Sequence, residues 1–196
     1  MRSLVVVACL SSVASAETLR MKVEDAETVH IANQGGAINS KTSRLVTLDL
    51  ATKGRAVVVS AGSNSEHNLW VEPNGNRSTE DLTNWLTTWK GTWVIAKGTL
   101  TLDLTLDNHD CTSQRTHGGA TEKTASCKTI GKVAKLRCTT RTIVTDGKPL
   151  RSVDAWSCSA TNGSELGDSA FTWVFGKTQC LQQRGGRKAP ISWVDC

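Results

Sequence analysis

The 196-residue chain contains no tyrosine, only two phenylalanines and no long apolar run. Its longest apolar run covers residues 4–10, whereas a helix that crosses a membrane needs about 20 apolar residues. The sequence therefore predicts no membrane span. With so little Tyr and Phe, an aromatic core must come from the seven tryptophans, and tryptophan together with abundant threonine favours β-strands.

The sequence also lacks the short motifs of common enzyme classes. It contains no G-x-S-x-G elbow, no H-E-x-x-H motif, no Walker loop and no dinucleotide fingerprint. Asp103 and Asp107 lie four residues apart on one strand face, as acid/base pairs can, but surface carboxylates beside threonine are common. We therefore assign no catalytic, cofactor-binding or metal-binding residue. A hydrolase whose site is assembled in space stays open as an alternative.

The first 16 residues are typical of an export signal. Arg2 supplies a positive charge, residues 4–10 the apolar stretch, and Ala14-Ser15-Ala16 an A-x-A cleavage site. Cleavage leaves 196 − 16 = 180 residues, enough for one domain, and lowers the formal net charge from +5 to +4. That charge is below what nucleic-acid binders usually carry, so we expect no nucleic-acid partner. The sequence predicts a secreted protein, or a periplasmic one if bacterial.

The cysteines support this localisation. Cys9 lies in the signal, and the other six fall in the C-terminal half: Cys111, Cys127, Cys138, Cys158, Cys180 and Cys196. An even number in an exported chain indicates a disulfide framework, for which fifteen pairings exist. Short loops close most easily, which favours the sequential pairs 111–127, 138–158 and 180–196.

Period-two alternation is the main structural signal. It is strictest from Thr99 to Asp107, where four leucines occupy one face of a predicted strand. Further strands are predicted around residues 45–51, 55–61, 69–71, 89–96, 133–144, 150–158, 171–175 and 191–194, with turns at Lys53-Gly54, Lys97-Gly98 and Asp146-Gly147. The fold class is therefore all-β, an antiparallel sandwich or barrel of eight or nine short strands. Residues 17–40 are polar and weakly patterned, which suits a loose N-terminal arm.

One segment also fits a short helix near residues 79–89. Leu82, Trp85, Leu86 and Trp89 follow the i, i+3, i+4, i+7 spacing, and Ser78 with Asp81 resembles a capping pattern. The same region carries Trp85, Trp89 and Trp93, four residues apart, which share a face in a helix or a strand. They are our candidates for a ligand pocket, with core filling as the alternative.

The segment Trp89-Lys90-Gly91-Thr92-Trp93 resembles the G-x-W that opens the first strand of the lipocalins and related calycins. The resemblance covers five residues. It implies a barrel whose floor is closed by the tryptophan and whose lumen holds a small apolar ligand. A lipocalin-like carrier is therefore one alternative function.

Basic residues cluster in the predicted hairpin at residues 133–158. Lys135, Arg137 and Arg141 share the outward face of one strand, and Arg151 lies on the facing strand. Such a surface attracts acidic partners through salt-sensitive contacts. We take these four residues as a candidate polyanion-binding site, for an acidic glycan or another cell-surface polyanion. The alternative is a solvated face that keeps a sheet edge soluble.

Two further patterns concern modification and metal binding. Asn76 and Asn162 begin N-x-S sequons in predicted turns, so they are glycosylation candidates if the source is a eukaryote. His109, Asp110, Cys111, His117 and Cys127 are zinc-type ligands, but their spacing matches no zinc motif. The reading we favour is an exported, disulfide-stabilised β-domain with a binding or structural role and no cofactor.

Overall fold

The computed structural model describes residues 16–31, 35–72, 74–118, 120–124, 130–145, 151–160, 173–176, 180–184 and 191–194. These residues are almost entirely in strands and include no α-helix, so the all-β prediction is confirmed. Nor do they include a helix with the length and apolarity to cross a membrane. The predicted signal lies outside the described residues, apart from Ala16.

Eleven strands are described. In chain order they are β1 Glu17–Ile31, β2 Gly36–Ala51, β3 Arg55–Glu72, β4 Gly75–Ala96, β5 Thr99–His117, β6 Ala120–Thr124, β7 Val133–Thr145, β8 Arg151–Ala160, β9 Trp173–Gly176, β10 Cys180–Arg184 and β11 Ile191–Val194. The first five contain 15 to 22 residues, longer than the short strands expected. The polar segment 17–40 contributes β1 and the start of β2, which pair with each other throughout.

All eleven strands belong to one sheet. Its order is β11-β10-β1-β2-β3-β4-β5-β7-β8-β9, with β6 paired to β5. Neighbours are antiparallel except β1 and β10, which run parallel. The sheet curls into a half-barrel, and Arg20 of β1 also pairs with Gly176 of β9 near the far end of the strand order.

Two of the predicted turns are formed as expected. Lys53 and Gly54 connect β2 to β3 within a single 3-10 turn, and Lys97 and Gly98 connect β4 to β5. All four residues have positive φ, at 64°, 71°, 49° and 75° respectively. Consecutive positive φ values match the twist of the flanking strands and suit tight hairpins, which explains the Lys-Gly pairs.

The core lies against one face of the sheet, which we call the inner face. It is built from alternate residues of seven strands, among them the β5 leucines 100, 102 and 104, which the alternation predicted. The other buried side chains that pack together here are Leu19, Met21, Val46, Leu48, Leu50, Ala56, Val58, Trp89, Trp93, Ala134, Leu136, Cys138, Trp156 and Cys158. We call this part of the sheet the core end.

The helix considered near residues 79–89 is wrong, because these residues lie in the middle of β4. The apparent helical spacing combines two strand faces. Trp85 and Trp89 are on the inner face, whereas Leu82 and Leu86 are exposed on the opposite, outer face. Residues four apart share a face in both structures, so the tryptophans alone could not distinguish them.

Gly91 permits a close approach between β4 and β5. A Cβ atom at this position would clash with the carbonyl oxygen of Asp103 and lie 2.9 Å from the Cα of Leu104. The glycine of the G-x-W pattern is thus required by contact with the neighbouring backbone. The pattern lies on β4, the fourth strand along the chain, and three strands precede it.

The disulfide between Cys138 and Cys158 joins β7 to β8. The two cysteines are directly opposite in the register, and both are fully buried in the core. This confirms one of the three sequential pairs. Cys111 is also disulfide-bonded, and Cys127 and Cys196 lie outside the described residues.

Replacing Gly91 by alanine should destabilise the protein by about 3 kcal/mol, the upper range for an overpacked site, because the new methyl group meets backbone that cannot move aside. Urea denaturation measures the loss. Gly98→Asn is the control: Gly98 has positive φ and open space around it, so asparagine should cost under about 1 kcal/mol. Equal stability of the two variants would contradict the close approach.

Removing the Cys138–Cys158 bridge with the double change Cys138→Ala and Cys158→Ala should cost about 2–4 kcal/mol, mainly because the unfolded chain gains freedom. Thermal denaturation of the oxidised double variant measures the effect, because the disulfide of Cys111 stays intact under these conditions. A loss below about 1 kcal/mol would mean that the sheet alone holds β7 against β8.

Candidate functional site

The inner face changes character along the strands. Beyond the core end, residues 38–44, 62–70, 77–85 and 109–117 of the four central strands continue the same face with mostly polar side chains. We call this part of the sheet the polar end. A sheet normally buries one face in an apolar core. The inner face is therefore unusual, because it turns from apolar to polar halfway along the strands.

A β-bulge sets which β5 residues reach this face. Trp89 pairs with Leu106, but Thr88 pairs with Asn108, so Asp107 is the extra residue. The bulge moves the inner face of β5 from even to odd residues. His109, Cys111, Ser113 and Arg115 thereby join it.

Side chains at the polar end pair across the strands. Thr42 donates to Asn64 Oδ1 at 2.9 Å, and Thr83 donates to Ser113 Oγ at 3.4 Å. In the next row Arg115 forms two hydrogen bonds of 2.7 Å to the carboxylate of Asp81. These hydrogen bonds, more than the charge itself, lower the pKa of Asp81, while partial burial opposes the shift.

Trp85 is held in place by a glycine and an arginine. Its Cζ2 and Cε2 atoms lie where a Cβ of Gly62 would be, so the ring occupies the space left by the missing side chain. The guanidinium of Arg44 lies over the ring, 5.2 Å from its centroid. Arg44, Gly62 and Trp85 form one row across β2, β3 and β4. This cation–π arrangement places a positive charge beside the core.

The apolar and polar parts of the inner face meet at a row made of Ser60, Thr87 and His109, which we call the junction. Ser60 and Thr87 are buried, and the Thr87 hydroxyl shares a 2.9 Å hydrogen bond with His109 Nδ1. Buried polar atoms with no hydrogen-bond partner among the described residues gather around this row. They are Ser60 Oγ, His109 Nε2, and the indole nitrogens of Trp85 and Trp89; one more, Trp156 Nε1, lies on β8.

The three tryptophans proposed as a pocket do share the inner face, but their environments differ. Trp89 is fully buried, and Trp93 is 7% exposed and donates its indole N–H to the Ala51 carbonyl at 2.9 Å. Trp85 is half-buried at the polar end. Trp89 and Trp93 thus pack in the core, and Trp85 alone borders the polar face.

The described basic side chains of the β7–β8 hairpin lie on the outer face. Lys135 and Arg137 are exposed there, and Lys135 forms a 3.1 Å ion pair with Asp103 on β5. Asp107 pairs similarly with Lys90 at 2.9 Å. Both carboxylates considered as an acid/base pair are therefore engaged in surface ion pairs.

The register places the other two candidates in the same set of positions. Arg141 lies an even number of residues along β7 from Lys135, so the two belong to the same alternate set. Arg151 on β8 pairs with Thr145, which also lies an even number of residues from Lys135. The side chains of Arg141 and Arg151 lie outside the described ones. The four candidates thus belong to one alternate set on β7 and β8.

The remaining predicted residues are dispersed. Asn76 is exposed at the start of β4, whereas Asn162 lies outside the described residues. Cys180 begins β10 and pairs with Val194 of β11. His109 and Cys111 are on the inner face, with Asp110 between them on the outer one. No group of three or more metal-ligating side chains comes together within the described ranges.

Sequence reasoning missed the junction itself. Arg44 continues the even alternation of Val46 and Leu48, so its inner-face position was readable from β2. His109 was not readable, because the bulge at Asp107 reverses the phase of β5. Ser60 and Gly62 gave no separate signal within β3.

Comparison of the chain with protein-family models, curated proteins and solved structures finds no match.

The Asp81–Arg115 pair should give a pH-dependent contribution to stability. Because the pKa of Asp81 is lowered in the folded protein, the contribution is present above the unfolded value of about 3.9 and is lost as the pH falls through the folded value. Asp81→Asn should cost under about 1 kcal/mol at pH 7, since Arg115 is mostly exposed and solvent screens the pair. Between pH 5 and 2.5, urea denaturation should show a smaller loss of stability in the variant than in the wild type; equal losses would contradict the assignment.

Proposed function

We propose that the chain is a binding domain that recognises acidic glycans through the outer face of its core end. The observation that carries the proposal is the sign of the charges on that face. By the register, the described outward positions hold three acidic residues, Asp49, Asp103 and Asp107, and six basic ones, Arg20, Lys22, Arg55, Lys90, Lys135 and Arg137. The difference, 6 − 3, leaves three positive charges in excess.

The ion pairs on this face leave part of the positive charge uncompensated. Lys90 and Lys135 are matched by Asp107 and Asp103, but Arg137 faces Thr101 on one side and Ser159 on the other. Arginine in such a position suits the bidentate recognition of sulfate or carboxylate groups. Arg141 and Arg151 extend the same alternate set of positions along β7 and β8.

Export is part of the proposal. The N-terminal pattern at residues 1–16 supports it, and the Cys138–Cys158 disulfide is compatible with an oxidising compartment. An exported domain with a basic outer face would meet acidic glycans at cell surfaces, where weak contacts along a polymer add up.

Heparin chromatography tests the proposal. The double change Lys135→Ala and Arg137→Ala should lower the salt concentration at elution, because it removes two contacts whose strength depends on ion screening. The change Lys41→Ala with Lys53→Asn removes the same charge from exposed positions away from β7, and asparagine tolerates the positive φ at position 53.

The control should elute close to the wild type. Equal retention of the β7 variant and the wild type would overturn the proposal. Equal loss in both variants would also overturn it, because it would reduce the effect to net charge alone.

A further inference from the structure

The junction on the inner face carries a second, separate inference. The described atoms Ser60 Oγ, Trp85 Nε1, Trp89 Nε1 and His109 Nε2 are each buried without a hydrogen-bond partner. Buried polar groups in native proteins are nearly always paired. Leaving one unpaired costs its full desolvation free energy, so a group of them in adjacent rows needs a physical reason.

The atoms lie within a small area of the sheet. Thr87 is the centre of the junction row, with Ser60 beside it on β3 and His109 beside it on β5. Trp85 and Trp89 precede and follow Thr87 by two residues, on the same face of β4. Residues two apart on a strand are about 7 Å apart, and neighbouring strands about 4.8 Å. Each of these residues is thus within about 7 Å of Thr87, close enough for its side chain to reach one small ligand beside that threonine.

Their chemistry favours one kind of ligand group. An indole nitrogen only donates hydrogen bonds, and the serine hydroxyl can donate as well. The edge of Trp85 that includes Cε2, the neighbour of Nε1, lies over Gly62, next to Ser60 along β3. The guanidinium of Arg44 adds a positive charge over the same ring. Several donors in adjacent rows beside a cation match a carboxylate, whose two oxygens accept about four hydrogen bonds.

Access is from the polar end. Arg44, Trp85 and His109 are half-buried and border the solvated rows, whereas Ser60 and Trp89 lie beneath them at the edge of the core. The Arg44 guanidinium, which lies over the Trp85 ring, is next to a group that enters from this side. The outer basic face is on the other side of the sheet, so this site is distinct from the proposed glycan surface.

We propose that the junction binds the carboxylate group of a small organic acid, with Ser60, Trp85 and Trp89 as hydrogen-bond donors and Arg44 as the charge partner. His109, fixed by Thr87, borders the bound group. The unpaired donors are then a property of a binding site that is completed by its ligand.

The test uses the whole oxidised protein and the indole N–H signals of its tryptophans in ¹⁵N-labelled NMR spectra. Acetate, benzoate and glucuronate are the probes, and acetamide, benzamide and glucose are their uncharged counterparts. Trp→Phe variants assign the signals. At least one acid should shift the Trp85 and Trp89 signals saturably, while the Trp93 signal, whose N–H is bonded to Ala51, stays in place.

Variants separate binding from folding by opposite effects. Ser60→Ala should raise the dissociation constant at least tenfold, yet leave the melting temperature of the unliganded protein unchanged or higher, because it removes an unpaired polar atom. Trp85→Phe should raise the dissociation constant by a similar factor and lower the melting temperature less than Trp93→Phe does, because it removes no satisfied hydrogen bond. Trp93→Phe is the matched control: it loses a satisfied hydrogen bond, so it should melt about 2 °C lower or more and keep its affinity. The double change Lys135→Ala and Arg137→Ala, on the outer face, should also keep the affinity for the acid.

Three outcomes would overturn the inference. The first is the absence of saturable shifts with all three acids. The second is equal binding of the acids and their uncharged counterparts. The third is a clear drop in melting temperature for unliganded Ser60→Ala, which would mean that the serine is satisfied within the fold. None of these results depends on heparin retention, so the inference and the proposed glycan binding fail or succeed separately.

Discussion

The inner face depends on the β-bulge at Asp107, where β5 has one more residue than the opposing part of β4. Side chains alternate strictly along a strand, so one added residue reverses every position beyond it. Before the bulge, the even leucines of β5 enter the core; after it, the odd residues His109 to Arg115 take their place on that face. The bulge therefore lets one long hairpin serve both an apolar core and a polar surface.

The two parts of the sheet are stabilised differently. The core end buries leucines, tryptophans and a disulfide, whereas the polar end relies on backbone pairing and side-chain hydrogen bonds such as Thr42 to Asn64. Hydrogen bonds contribute little net free energy compared with apolar burial. The polar end is thus held mainly because its strands are continuous with the core end. Local opening is expected to begin there.

The sequence predicted those features that depend on local pattern. The leucines of residues 99–107 gave their strand and its buried face, and the Lys-Gly pairs gave two hairpins. The β4 segment shows the limit, because Trp85 and Leu86 satisfied a helical spacing while belonging to opposite faces of a strand. The position of His109 depends on pairing with β4, and the packing of Trp85 depends on Gly62 in β3. Such relations across strands are not contained in the periodicity of one segment.

Trp93 and its neighbours Trp85 and Trp89 on β4 differ in how their indole N–H groups are satisfied. All three lie on the inner face, and alternation treats them alike. Trp93 donates to the Ala51 carbonyl and so satisfies its polar atom within the fold, whereas the indole nitrogens of Trp85 and Trp89 are buried without a partner among the described residues. An unpaired buried N–H costs free energy, which aromatic bulk alone does not account for. Retaining indole there is reasonable if the N–H groups act on a ligand, which is why the junction, and not the tryptophan stripe as a whole, is the candidate site.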